Sequence, residues 1–311
     1  MSASDLTGFL RGRGVDAVSV VPLVGGEKNR SWLVDGAFVA RSYSSSTPAE
    51  VEYELQATEF LAQRGFPTPA PVRASDGSLW GTMDDRPAAL FTYAAGAHPT
   101  GLLDGYFSAD LRLGRDAAEL AAQLHVLAAD QSFDGAKTTR LDPLQRVETF
   151  LRSPYADLPV LREATRRLTA LEEKLADVYT NPSGLRRGLV HNDISAVNLL
   201  LDEAGEITAL IDFDDCMTSF QLYDLGRIAE TWVRAPDRHA DLTRIKELIE
   251  AYDATRRLTD REAELAVDLI AAYAAATGVD ILTNMLRAGA HVQSPADSHS
   301  MLFFLDLTGE Q

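Results

Sequence analysis

Residues 189–215 read LVHNDISAVNLLLDEAGEITALIDFDD. Two apolar runs flank a tight turn at Glu203–Glu206, which predicts two buried strands joined as a hairpin. Yet the loop positions of this stretch carry His191, Asn198 and four carboxylates, Asp193, Asp212, Asp214 and Asp215. Polar groups at the ends of buried strands cost free energy unless something satisfies them. A metal ion and a phosphate would do so.

The rest of the composition narrows the field. The chain has 311 residues, 46% of them hydrophobic, enough for a large core and for two lobes rather than one. Its formal net charge of -17 argues against nucleic acid or an anionic membrane as partner, since phosphate contacts need clustered Lys and Arg. The first residues lack an apolar run long enough for a signal peptide, and VDLIAAYAAATGVDIL is broken by Asp and Thr short of a membrane span. A cytoplasmic protein, monomer or homodimer, is expected. The lone Cys216 rules out an intrachain disulfide and reads as a buried small hydrophobe.

Outward from the opening stretch, the order of elements takes shape. DAVSVVPLV, RSWLVD and AFVARSY, separated by glycine turns, predict three antiparallel strands between Val15 and Tyr43. A helix follows from Pro48 to a glycine stop at Gly65. Strands and turns then return, with Asp76-Gly77 as a hairpin signal. Beyond Gly96 the chain becomes Ala- and Leu-rich: SADLRLGRDAAELAAQLHVL, LPVLREATRRLTALEEKLADVY and two or three further helices up to about Gly289. Residues 130–155 read as a loop with short helical pieces. The expectation is an α+β chain: a β-rich lobe with one main helix over 1–94, then over 95–311 a helical lobe interrupted by one β-pair.

Asp193 and Asn198 stand five residues apart in a loop, and the hairpin brings Asp212 back beside them. An Asp to accept a hydroxyl proton, with an Asn oxygen and a second Asp as hard ligands for Mg2+, is the equipment of phosphoryl transfer from ATP. For HNDISAVN alone, a loop of satisfied polar residues remains an open alternative. A zinc site is a poor one, because no second His or Cys lies at ligand spacing.

HNDISAVN, IDFDD and LYDLG closely resemble the catalytic loop and metal-binding segment of the aminoglycoside phosphotransferase and choline kinase superfamily, small-molecule relatives of the protein kinases. FVARSY, YELQATEFLAQRGFPTPAPV, RPAALFTYAAG and LAAQLHVL extend the resemblance through most of the chain, and RPAALFTYAAG and IDFDDCMTSFQLYDLGRIAETW look most like homoserine kinases and related amino-alcohol and antibiotic kinases. The resemblance implies a bilobal protein-kinase-like fold, with ATP between the lobes and its adenine against the connector that includes Phe91 and Tyr93. It implies Asp193 as catalytic base and Asn198 and Asp212 as Mg2+ ligands, with His191 and Asp224 as structural support. Arg41 would contact the nucleotide phosphates and pair with Glu54, Glu52 being the nearest competitor. Gly25, Gly26, Asn29 and Ser31 would belong to a phosphate loop, for which a plain hairpin turn is the simpler reading. Ser195 stands where protein Ser/Thr kinases place a Lys, which shifts the charge burden to the metal and Arg41.

Several positions keep two readings. Asp214 and Asp215 would touch metal or substrate, or cap a following turn. Tyr223 and Trp232 would be core, or Glu230 and Trp232 would hold a substrate ammonium through a carboxylate and an aromatic face. His125 reads as a helix-packing residue. The expected activity is transfer of a phosphoryl group from ATP to a hydroxyl of a small amine-bearing molecule, homoserine or a similar amino alcohol; the alternatives are an antibiotic-inactivating kinase and a non-catalytic nucleotide-binding regulator.

Overall fold

The computed structural model describes residues 3–23, 29–102, 107–135, 142–233 and 239–309. By its contacts the chain divides into two compact units, the first made of Met1–Pro99, Asp130–Thr138 and Asn198–Cys216, the second of Thr100–Ala129, Thr139–Val197 and Met217–Gln311. The first unit therefore runs a little past residue 94 and also takes in the hairpin of the opening stretch.

The first unit is built on an antiparallel five-stranded sheet in the order β1-β2-β3-β5-β4, with β1 Val20–Leu23, β2 Arg30–Val34, β3 Phe38–Ser42, β4 Trp80–Met83 and β5 Arg86–Thr92. Strand alternation sorts its side chains. Trp32, Val34, Ala40, Ala88 and Leu90 form one core cluster with Leu6, Phe9 and Leu10, whereas Ala89 and Phe91 join Tyr43, Val51 and Leu55 in another. The first cluster holds α1, Ala3–Arg11, a helix that the mixed composition of the N-terminus concealed. The second holds α2, Pro48–Gln63, whose start is set by Pro48 and a reciprocal capping box between Thr47 and Glu50. Arg41, on the odd-numbered face of β3, therefore stands on the side of α2.

The turn that joins two strands of this sheet is not Asp76-Gly77. It is Asp84-Asp85, both left-handed at φ 50° and 60°, between β4 and β5, while Asp76-Gly77 closes a separate turn ahead of β4. The hairpin of the opening stretch forms as β7, Leu199–Leu201, and β8, Ile207–Leu210, and Asp202 Oδ1 accepts the turn N–H groups of Ala204 and Glu206 at 2.9 Å each. It is tied to the first unit by an Ala97–Leu201 bridge and by the Leu210 N–H donating to Pro67 O at 2.8 Å.

The second unit is helical: α3 Leu111–Leu127, α4 Pro143–Leu151, α5 Arg162–Thr180, α6 Tyr223–Trp232, α7 Leu242–Thr255, α8 Asp260–Arg287 and α9 His299–Thr308. It also contains a β-pair that sequence reading missed, β6 Arg187–Val190 with β9 Met217–Phe220, which brackets the β7–β8 hairpin in the chain between α5 and α6. The 28-residue α8 is, by length and composition, long and apolar enough to cross a membrane, contrary to expectation, yet 67% of its apolar window is buried within the protein.

Glycines let these helices approach closely. A Cβ on Gly114 of α3 would lie 2.7 Å from the Trp232 Cβ of α6, and one on Gly278 of α8 would lie 2.7 Å from the Met301 N of α9. At Gly226 of α6 a Cβ would overlap Tyr273 of α8. Ala at a helical glycine gains about 1 kcal/mol of propensity, but overpacking a closed interface costs about 1–3 kcal/mol. Gly226→Ala is expected to lower the urea midpoint with an unchanged m-value; a midpoint at or above wild type would show that the α6–α8 contact yields freely.

Candidate active site

Asp193 lies in the second unit, where its loop is shaped by one buried carboxylate. Asp224, on α6 and fully buried, accepts the His191 N–H at 2.9 Å, the Asn192 N–H at 2.6 Å and His125 Nε2 at 3.1 Å. Asn192 is left-handed, φ 67°, a conformation that costs a non-glycine residue free energy. Its two peptide groups are held regardless, the N–H by Asp224 and the C=O by the Tyr273 hydroxyl at 2.8 Å. The turn then delivers Asp193, whose N–H donates to His191 Nδ1 at 3.2 Å.

His125 is more than a packing residue. Its Nε2 proton goes to Asp224, and its Nδ1 accepts the Tyr252 hydroxyl at 2.6 Å. Burial lowers its pKa below 6.5 in spite of the pull of Asp224. The unfolded chain thus takes up this proton before the folded one does, and stability falls as the pH drops through about 6.5 toward the folded value.

A cation that sequence reading did not single out reaches Asp193. Arg227, also on α6, donates from Nε to Asp193 Oδ1 at 2.7 Å, and its Nη1 lies 3.5 Å from Glu230 Oε2. Burial works against its charge, but Asp193, Tyr273 and Glu230 outweigh burial and hold its pKa above the ordinary value. The signal in the sequence was a lone Arg between Leu225-Gly226 and Ile228-Ala229, one turn after Asp224. Glu230 itself is fully buried beside this Arg, so the cation it meets belongs to the chain. Trp232 is 0% exposed and stacked against Gly114, with no aromatic face open to a ligand. Tyr223 is likewise core, its hydroxyl 2.9 Å from that of Tyr179.

The remaining residues lie in the first unit. Arg41 Nη1 donates to Asp212 Oδ1 at 2.7 Å and stands 3.9 Å from Glu54 Oε1, while Glu52 instead accepts from Gln56. The closer partner of Arg41 is therefore the carboxylate expected to hold metal. Glu54 takes the Tyr43 hydroxyl at 2.8 Å. Burial opposes the charge of Arg41, yet Asp212, Tyr43, Glu54 and Asp214 together raise its pKa. Asp212 is left-handed, φ 67°, and the neighbouring Ile211 N–H donates to Asn198 O at 2.9 Å, which sets the Asn198 and Asp212 segments side by side. Asp214 accepts from Asn29 Nδ2 at 3.2 Å and sits with Asp215 inside a short 3-10 turn, Phe213–Asp215. Ser31 pairs with Arg41 across β2 and β3, and Gly25 and Gly26 lie outside the described residues. Phe91 is core with the Arg41 guanidinium 6.0 Å above its ring, whereas Tyr93 is 45% exposed and its N–H donates to Ala37 O.

Asn198 and Asp212 offer oxygen donors alone, which fits a small hard divalent cation and not a thiophilic one. Among the described residues no group of three or more His, Cys, Asp or Glu forms a protein cage. Mg2+ does not need one, because it keeps waters and substrate phosphates in its shell.

On the His125 titration, the stability gap between wild type and His125→Gln is expected to narrow as the pH is lowered from 7.5 to 5.5 in thermal melts. A gap that stays constant or widens would remove His125 from the acid response.

Residues 19–260 match the phosphotransferase enzyme family. The chain is 26% identical to a homoserine kinase of Rhodospirillum rubrum over 269 residues, covering 84% of this chain and 79% of that one. It is 30% identical to a homoserine kinase of Acidiphilium cryptum over 238 residues, 74% of this chain and 69% of that one. Among solved structures, a microcompartment-associated aminopropanol kinase superposes with a TM-score of 0.69 at 21% identity, covering 97% of this chain and 94% of that one. An amicoumacin kinase in complex with AMP-PNP and Ca2+ gives 0.64 at 15% identity, covering 93% and 87%. With a family match over most of its length and the antiparallel-sheet and helical parts those relatives share, the chain belongs to the phosphotransferase enzyme family and is a small-molecule kinase.

Proposed function

We propose that the protein transfers the γ-phosphoryl group of ATP to the hydroxyl of homoserine or a similar amino alcohol. The observation that carries this reading is the braced loop: Asp224 and Tyr273 hold Asn192 in a costly conformation, and the residue so delivered is a carboxylate. A loop of incidental polar residues has no reason to bear that cost. The homoserine assignment rests on relatives that match over 84% of the chain.

In this reading Asp193 accepts a hydrogen bond from the acceptor hydroxyl, aligns its oxygen and takes its proton as the new P–O bond forms and the bond from the γ-phosphorus to the bridging oxygen breaks, releasing ADP. Asn198 and Asp212 hold Mg2+, which when bound neutralises charge on the nucleotide phosphates. Arg41 turns its guanidinium to those phosphates, with Glu54 and Tyr43 behind it, and Ser31 and the 25–26 glycines border them. Phe91 supports that guanidinium from the core, and the exposed Tyr93 borders the base. Residues 1–94 supply the nucleotide-binding lobe, and 95–311 the catalytic loop, the metal residues and the acceptor pocket. Asp214 stays with Asn29 at the edge of the metal segment. Glu230 and Trp232 do not bind the substrate amine, because one is committed to Arg227 and the other is enclosed.

A Mg2+-ATP turnover assay against homoserine, choline, ethanolamine, amino sugars and aminoglycosides tests the proposal. Homoserine-dependent ADP release is expected, reduced by about 10²–10⁴-fold in Asp193→Asn. Turnover confined to an aminoglycoside would replace the substrate, and ATP binding without any acceptor-dependent turnover would overturn the catalytic reading.

A further inference from the structure

The loop 191–198 carries no Lys or Arg, and Ser195, where a cation would serve a transferring phosphoryl group, is buried with an Oγ that makes no hydrogen bond. A cation nevertheless stands at the loop, and it arrives from another element. The Arg227 side chain is 16% exposed and Asp193 is 31% exposed, so the pair sits at the border between core and solvent, where a charge-assisted bond is screened less than at the surface.

We propose that Arg227 is a positioning residue for phosphoryl transfer, which fixes the Asp193 carboxylate from α6 and supplies beside it the positive charge that the loop lacks. The inference rests on the phosphotransferase reading above. Nε holds Oδ1 at 2.7 Å, which hinders rotation of the carboxylate about its Cβ–Cγ bond. Glu230, one turn further along α6, lies 3.5 Å from Nη1 and so meets the guanidinium at a second nitrogen. Asp224 on the same helix fixes the backbone of the loop, so one rigid segment governs both the main chain and the side chain of the base. The fork geometry matters: a Lys ammonium can match the charge but has no two separate nitrogens with which to meet Asp193 and Glu230.

Three variants of the full chain test this, assayed with ATP and whichever acceptor the panel identifies. Arg227→Gln is expected to lose about 10- to 100-fold in kcat with little change in either KM, the pattern of a misplaced group rather than a lost binding contact. Arg227→Lys is expected to recover part of that loss, and millimolar guanidinium to restore turnover to Arg227→Ala, a rescue that a purely structural role would not give. Activity of Arg227→Gln within about twofold of wild type, or a loss that guanidinium leaves untouched, overturns the proposal. If wild type turns over no acceptor, the catalytic reading fails on its own. Thermal melts of Asp193→Asn, Arg227→Gln and the double variant then decide the pair: non-additive shifts keep it as a coupled unit, and additive shifts overturn it.

Discussion

A buried carboxylate is a liability unless donors surround it, and Asp224 is surrounded by three. Two are backbone N–H groups of the loop that bears Asp193, and the third is His125, itself seated on the Tyr252 hydroxyl. The interaction runs both ways. The loop satisfies a charge that would otherwise cost several kcal/mol, and the charge holds the loop in a left-handed turn that it would not adopt alone. β6 leads into this turn, α6 presents Asp224, and α8 contributes Tyr273, so three separate segments of the second unit converge on three consecutive residues.

The Asp212 segment of the first unit follows a parallel logic with a different partner. Asp212 is again a left-handed non-glycine residue at the end of a short strand, and again a charged group meets it, here Arg41 from the sheet. The alternation of β3 decides that meeting. Ala40 faces the cluster with α1 while Arg41 faces α2, and a slip of one residue in register would turn the guanidinium away from Glu54 and Asp212 alike.

What could be read in advance was what local rules govern. A glycine turn separates β2 from β3 as expected, Pro48 announced α2, and the spacing of Asp193, Asn198 and Asp212 pointed to phosphoryl transfer. The failures are non-local. Strands β6 and β9 are four residues each and meet across 26 intervening residues, which no window shows. Arg227 could be seen as an oddity in an apolar helix, but its contact with Asp193 spans 34 positions. α1 was hidden because Leu6, Phe9 and Leu10 are too few to establish a period within a stretch rich in glycine and charge. Of the two readings of Trp232 the core one holds, because a glycine on α3 opens the space it fills.

The first unit is not a continuous stretch of chain: its β7–β8 hairpin is encoded after roughly a hundred residues that belong mostly to the second unit. A ribosome making this protein finishes the sheet early, yet Arg41 waits for Asp212 until the chain has passed residue 212. By then α3, α4 and α5 have emerged, while α8, the apolar helix that buries their neighbours, has not. Completion of the Arg41–Asp212 pair therefore precedes completion of the helical core, and a fragment ending at Pro99 would be a sheet without its Asp212. The Asp193 loop is completed later still, because the Tyr273 that holds it lies on α8.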